Sequence, residues 1–196
     1  MKKFLLIYVL FAGISFATDY ETQTGMCNEA PSTKGKYTVF YYYPSEAKKV
    51  HERKSCFNGK ANGLWSIYLP DGTLYYTGTL KNGIKHGVFK SYYENGQIED
   101  ERTWVNGKDV PPRKSWYKSG ALEFELKSMN GVSTWYYENG QVKAEYHIKN
   151  GVGSGPAKGY YPDGTLQWEA KYKNGELDGY KRCTNGKFGN EDLECD

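Results

Sequence analysis

Glycine recurs along this chain with a regularity that leaves little choice of fold. One set is Gly59, Gly83, Gly107, Gly131, Gly151 and Gly175, in steps of 24, 24, 24, 20 and 24 residues. A second set, Gly72, Gly96, Gly120, Gly140 and Gly164, follows the first by 13 residues (9 for Gly140) and precedes its next member by 11. The fourth unit has therefore lost four residues from one arm only. Every one of these glycines except Gly120 follows Asn or Asp, and such pairs accept the positive φ of tight turns. The segments between turns are 9 to 11 residues long and rich in Tyr, Trp, Leu, Val, Ile and Thr. That is strand composition at strand length, and no segment holds a three-turn helix between its breakers. A repeat of this period governs the whole fold. It predicts an all-β chain: an elongated, single, twisted antiparallel meander of β-hairpins, with about a dozen strands of the length usual in sheets.

Fixed columns run through the repeat. Four residues before the second-set glycines stand Tyr68, Tyr92, Trp116, Tyr136 and Tyr160; two residues after them stand Leu74, Ile98, Leu122, Val142 and Leu166. Pro70-Asp71-Gly72 and Pro162-Asp163-Gly164 suggest a type I turn with Gly in a bulge, a three-residue loop that sets Tyr68 opposite Leu74. A two-residue loop would pair Tyr68 with Tyr75 instead, and a one-residue slip turns every side chain to the other face. The aromatic column reads as a stacking ladder between neighbouring hairpins or as a binding platform. Five residues after the second-set glycines come Glu101, Glu125, Glu145 and Glu169, interleaved with lysines. This column reads as a solvated, cross-paired sheet face or as a docking stripe for a basic partner.

The run Gly87-Val88-Phe89, Tyr92-Tyr93-Glu94-Asn95-Gly96-Gln97-Ile98, then Trp104-Val105-Asn106-Gly107 resembles the variant MORN repeat of bacterial proteins. It recurs five times in register, and the resemblance covers roughly residues 36 to 188. It implies stacked hairpin repeats. Relatives are often named YwqK-like antitoxins, which implies binding and neutralising a partner and brings no catalytic residue and no cofactor. Unit three departs from the pattern, with Pro111-Pro112-Arg113 in place of Gly87-Val88-Phe89 and Ser119-Gly120 in place of Asn-Gly.

Residues 1–17 read as a secretory signal peptide: Lys2 and Lys3, an apolar run from Phe4 to Ile14, and the small-x-small site Ser15-Phe16-Ala17. The apolar run is too short to span a bilayer as a stable helix. The mature chain is expected to begin at Thr18, in the periplasm, the cell envelope or outside the cell. Residues 18–35 read as an irregular lead-in, 36–188 as the repeat array with a degenerate first unit at about 36–57 and repeats from 58, and 189–196 as an acidic tail. Losing Lys2 and Lys3 leaves 24 basic against 23 acidic residues, so charge gives no nucleic-acid signal.

Cys27, Cys56, Cys183 and Cys195 all lie in the two ends. In an exported chain an even count reads as disulfides. Of the three connectivities, Cys27 with Cys56 and Cys183 with Cys195 suits an elongated array. A zinc site needs closely spaced ligands such as C-x-x-C near His, and neither spacing occurs. His51, His86 and His147 share no repeat position, and no nucleophile, metal or phosphate motif is present. A glycan-cleaving reading needs two carboxylates in a cleft, and nothing in the sequence favours one. The leading expectation is an exported, non-enzymatic protein-binding or scaffold module that presents an extended aromatic-rich sheet, with no cofactor and no metal. The alternatives are an antitoxin- or immunity-like protein and a cell-wall or glycan-active enzyme. The expected partner is another protein; membrane or glycan association has no support in the sequence.

Overall fold

A computed structural model describes residues 18–21 (as backbone), 26–30, 34–43, 49–179, 181–190 and 194–195. The signal peptide expected over 1–17, and Pro44-Ser45-Glu46 of the degenerate first turn, lie outside the described residues. The strands are β1 (Thr18–Glu21), β2 (Lys36–Tyr42), β3 (Val50–Phe57), β4 (Lys60–Tyr68), β5 (Leu74–Lys81), β6 (Ile84–Lys85), β7 (Gly87–Tyr92), β8 (Ile98–Val105) and β9 (Lys108–Trp116). They continue with β10 (Leu122–Leu126), β11 (Gly131–Tyr136), β12 (Val142–Lys149), β13 (Val152–Tyr160), β14 (Leu166–Lys173), β15 (Glu176–Leu177), β16 (Lys181–Cys183) and β17 (Phe188–Gly189). A 3₁₀ turn, Cys27–Glu29, precedes β2. The all-β expectation holds. The chain divides into two compact units. The first runs to Gly96 and adds Thr103–Asp109; the second takes Gln97–Arg102 and everything from Val110. In the first, β2, β3, β4 and β5 pair in succession, antiparallel, and β5 then pairs with β6 and β7. In the second, the antiparallel succession runs from β9 to β14, which pairs with β15 and β16.

Two turn chemistries alternate, as the two glycine sets require. At the first set both loop residues have positive φ: 49° and 77° at Asn58-Gly59, 52° and 82° at Asn82-Gly83, 55° and 79° at Asn150-Gly151. These are the left-handed values of a two-residue type I′ hairpin, tolerable only for Gly and short polar residues. Phe57 accordingly faces Lys60, and Lys81 faces Ile84. At the second set, Tyr68 pairs with Leu74, Trp116 with Leu122, Tyr136 with Val142 and Tyr160 with Leu166, each beside a register shift. The Gly72 N–H donates to the Leu69 carbonyl and the Leu69 N–H to the Thr73 carbonyl, both at 2.8 Å. That is the bulged turn, and it fixes the register left open by the sequence. The first-set turns also bind hairpin to hairpin. The N–H groups of Gly83, Gly107, Gly151 and Gly175 donate to the carbonyls of Ala61, Lys85, Met129 and Gly153 at 2.7 to 2.9 Å.

Unit four corrects one expectation. Gly131 is not the second residue of a two-residue turn: its φ is 133°, and Asn130 is not among the positive-φ asparagines. Strand β10 ends at Leu126, which faces Ser133. Gly131 stands five residues before Tyr136, as Gly63 stands before Tyr68, Gly87 before Tyr92 and Gly155 before Tyr160, and those three also have positive φ, at 113°, 92° and 119°. The regular arm has a turn glycine and a bend glycine four residues apart. Deleting four residues leaves one glycine for both, and the bend keeps it.

The ends are tied down. Residues 18–35 are not wholly irregular, since β1 runs parallel to β2 with Thr18 opposite Tyr37. The turn at Cys27–Glu29 packs into a small core of Cys27, Ala30, Tyr37, Val39 and Cys56, with Ala61 against it. The Tyr37 hydroxyl donates to the Cys27 carbonyl (2.7 Å) and accepts from the Gly59 N–H (3.0 Å). Both disulfides pair within an end, Cys27–Cys56 and Cys183–Cys195, with Cα atoms 5.8 and 5.5 Å apart. Loop-closure entropy values each crosslink at roughly 3 kcal/mol. The acidic tail is therefore not loose at Cys195, which is buried; its carbonyl accepts from Gln167 Nε2 at 2.6 Å and from the Tyr161 hydroxyl at 3.5 Å.

Candidate functional site

Residues opposite one another in a sheet share a face, so the register sorts the side chains. In the first unit one face carries Val39, Lys54, Trp65 and Gly78 in one row and Tyr41, Glu52, Ile67, Tyr76 and Ser91 in the next. Rings gather there. Trp65 lies edge-on to Tyr76 and Phe89, with centroids 5.6 and 6.3 Å apart, and Phe89 lies edge-on to Trp104 at 6.3 Å. Phe89 is 1 % exposed because it lies on Gly78, where a Cβ would overlap its ring carbons. Lys85 caps the group. Its Nζ donates to the Tyr76 hydroxyl at 2.8 Å and sits 4.6 Å from the Trp104 centroid, 5.0 Å from Phe89 and 5.1 Å from Tyr76. Each is a cation–π distance. Glu52 holds the other side, accepting from Trp65 Nε1 (2.5 Å) and pairing with Lys54 (2.6 Å).

The second unit repeats the device with other residues. One row reads Phe124, Trp135, Ala144, Gly159, Trp168 and Cys183. Trp168 covers Gly159, where a Cβ would overlap the indole. Tyr146 lies 6.0 Å from Trp168 and 5.7 Å from Tyr172, and Lys181 Nζ stands 5.0 Å over Trp168. Phe124 and Trp135 make a tilted pair at 4.5 Å, and Trp135 is 40 % exposed.

The ladder expected at Tyr68, Tyr92, Trp116, Tyr136 and Tyr160 occupies another place. All five are half-buried, at the bulged ends of the hairpins, and the rings that gather within each unit are those named above. What sequence reasoning missed is the second aromatic of each doublet. The hydroxyls of Tyr43, Tyr117 and Tyr137 donate to the carbonyls of Tyr68, Tyr136 and Tyr160, at 2.7, 2.7 and 2.8 Å. Each ties its turn to the ladder residue of the next hairpin. The signal was the doublet itself, Tyr42-Tyr43, Trp116-Tyr117, Tyr136-Tyr137 and Tyr160-Tyr161. Burial, then the nearby carboxylates Glu123 and Glu138, raise the pKa of Tyr117, which keeps its donated proton in place.

The glutamate column lies on the opposite face, in the row Lys114, Glu125, Thr134, Glu145, Lys158, Glu169 and Arg182. Glu125 has a side chain only 12 % exposed, with Lys114 and Lys127 each at 3.1 Å. Partial burial works to raise its pKa, and the two lysines outweigh it and hold the carboxyl below its ordinary value. Glu169 pairs with Arg182, and Glu145 accepts from the Tyr160 hydroxyl. Glu101 is half-buried on β8. Three members of the column are thus engaged within the chain, Glu125, Glu145 and Glu169. Among the described residues no three His, Cys, Asp or Glu side chains gather as a metal site. His51 is instead wedged edge-on between Tyr41 and Tyr43, at 5.4 and 4.7 Å.

Four segments match the MORN repeat variant: residues 61–82, 85–106, 129–150 and 154–174. The chain is a MORN-repeat protein. The unmatched gap from 107 to 128 is the third unit, where Pro111-Pro112 replaces the bend glycine and Ser119 the turn asparagine. No curated protein matches the chain. MORN hairpins carry both turn chemistries, and the tyrosines of three aromatic doublets, Tyr43, Tyr117 and Tyr137, staple one hairpin to the next.

Proposed function

We propose that this MORN-repeat protein is an exported, non-enzymatic module that binds another protein through its ring-bearing face. The observation that carries the reading is the state of those rings. Trp135 is 40 % exposed although its partner Phe124 lies 4.5 Å away, and a lysine stands over a ring of each cluster. Exposed Trp and Tyr on a rigid sheet are what binding hot spots are made of. On the opposite face Glu125, Glu145 and Glu169 are engaged with lysine, tyrosine and arginine inside the chain, which favours binding through the rings over glycoside cleavage by those acids. The two disulfides favour an oxidising compartment and hence export. A neutralising, antitoxin-like role is the same act of binding, with an effector as the partner. The test is site-specific photocrosslinking in the envelope fraction. A crosslinker at Trp135 should give one defined protein adduct, and one at Lys158 on the opposite face none. Equal labelling from both faces, or none from Trp135, overturns the assignment.

A further inference from the structure

Three tryptophans of this chain carry a lysine over the ring. Lys54 stands over Trp65 at 5.9 Å, Lys85 over Trp104 at 4.6 Å and Lys181 over Trp168 at 5.0 Å. At these distances the ring quadrupole attracts the ammonium. At Trp65 a carboxylate completes the arrangement, since Glu52 pairs with Lys54 and accepts from the indole N–H. Trp135 departs from this pattern. It is 40 % exposed and tilted against Phe124, and among the described residues no cation stands over it.

A carboxylate lies beside that ring pair. The register shift between Leu122 and Phe124 re-aims Glu123 toward Ser115, whose hydroxyl donates to Glu123 Oε2 at 3.0 Å. Ser115 stands opposite Phe124, and Phe124 opposite Trp135, so all three share the ring-bearing face. Carboxylate and indole are then about two strand spacings apart, roughly 10 Å, with the Phe124 ring between them. After burial, Glu123 and Glu138 are the groups that act on the Tyr117 hydroxyl, and that hydroxyl is bound to the carbonyl of Tyr136, the residue next to Trp135. Among the described residues Glu123 has no ion pair. The cations near it in the chain are placed elsewhere. Lys114 and Lys127 pair with Glu125 on the opposite face, and Lys143 stands over Tyr137. Arg113 faces Leu126 in the next row and has a contact of its own. Trp135, Phe124 and Glu123 thus repeat what Trp65 and Glu52 offer, without the cation.

We propose that an arginine of the partner protein completes this patch, its guanidinium lying on the Phe124–Trp135 pair and forking to Glu123. This rests on the reading of the ring-bearing face as a protein-binding surface and names the side chain that face takes. A tethered lysine serves inside the chain, but a partner's cation must leave water. Guanidinium is more weakly hydrated than ammonium, stacks flat on rings and pairs with a carboxylate through two N–H groups. The test is an NMR titration of the isotope-labelled, oxidised protein with three short peptides at matched ionic strength. They carry one arginine, one lysine or one uncharged citrulline between glycine and serine residues. The readout is the Trp135 indole N–H, assigned by its loss in Trp135→Phe. The arginine peptide should shift it saturably, with lysine at least about threefold and citrulline at least about tenfold weaker. Glu123→Gln keeps an acceptor for the Ser115 hydroxyl while removing the charge, and should weaken the arginine peptide by about tenfold. No saturable shift, equal binding of the lysine or citrulline peptide, or an unchanged affinity in Glu123→Gln overturns the proposal. Any of these beside a defined photoadduct at Trp135 removes the arginine and leaves the protein-binding reading, whereas a missing adduct removes that reading itself.

Discussion

The contact between Gly78 and Phe89 makes a prediction whose sign reverses with background. Phe89 is 1 % exposed and lies flat on Gly78, where a Cβ would overlap its ring. Gly78→Ala must therefore push the ring off its seat, against Trp65, Tyr76 and Trp104, which surround it. Overpacking of this kind costs about 1 to 3 kcal/mol. Phe89→Ala removes a wholly buried ring and should cost about 3 to 5 kcal/mol. In the Phe89→Ala background the obstacle is gone. There Gly78→Ala only removes backbone freedom from the unfolded chain, which stabilises a strand position by roughly 0.5 to 1 kcal/mol. The same substitution thus destabilises the parent and stabilises the variant. Urea melts followed by the fluorescence of Trp65 and Trp104 supply the double-mutant cycle, with the midpoints compared at constant slope. Tyr92→Ala, at the half-buried ladder position, should cost less than Phe89→Ala. Equal costs for Gly78→Ala in both backgrounds would show that the ring does not rest on the glycine.

Two further outcomes follow from the staples and the charged row. Tyr137→Phe removes the hydroxyl that donates to the Tyr160 carbonyl and should cost about 0.5 to 1.5 kcal/mol, the net worth of one hydrogen bond, whereas Tyr75→Phe, on an exposed ring, should change the melt by less than about 0.5 kcal/mol. Glu125 has a folded pKa below its ordinary value, so its contribution is full above that ordinary value, near pH 4.3, and is lost as the pH falls through the lowered one. An acid titration of stability should be shallower there in Glu125→Gln than in the parent, and an unchanged slope would remove the Lys114 and Lys127 pairing from the account.

The hairpin array was legible because its signals are local. A turn is signalled by two or three residues such as Asn-Gly or Pro-Asp-Gly, so strand positions followed from spacing, while the cross-strand partners at the second-set turns stayed open between two registers. The proline of Pro70-Asp71-Gly72 favoured Tyr68 facing Leu74, and the bulged turn settles it. The disulfide pairing was legible because repeat number separates the two ends. The aromatic cluster was not, because a ring's burial depends on what lies across two strands. Phe89 is covered through a glycine on β5, eleven residues earlier in the chain, and Gly78 carries no mark of that in its own neighbourhood. The column with the most regular aromatics proved to be a backbone anchor at the hairpin ends. The less regular positions, Trp65, Tyr76, Phe89 and Trp104 in one unit and Tyr146, Trp168 and Tyr172 in the other, hold the rings that meet.

The fourth unit shows how the same physics decides which features a repeat keeps. Its arm is four residues short, and one glycine remains where regular arms use two. The bend position keeps it, with φ at 133° at Gly131, because the bend sets the register of the whole following strand, and a slip there would send Ser133 and Trp135 to the wrong face. The turn position loses less. Other groups still tie this hairpin to the next, since the Gly151 N–H donates to the Met129 carbonyl and the Asn150 N–H finds the Asn130 side chain at 3.0 Å. Positions that fix register are therefore held by glycine even when the arm is cut, and positions that only join hairpins accept substitutes.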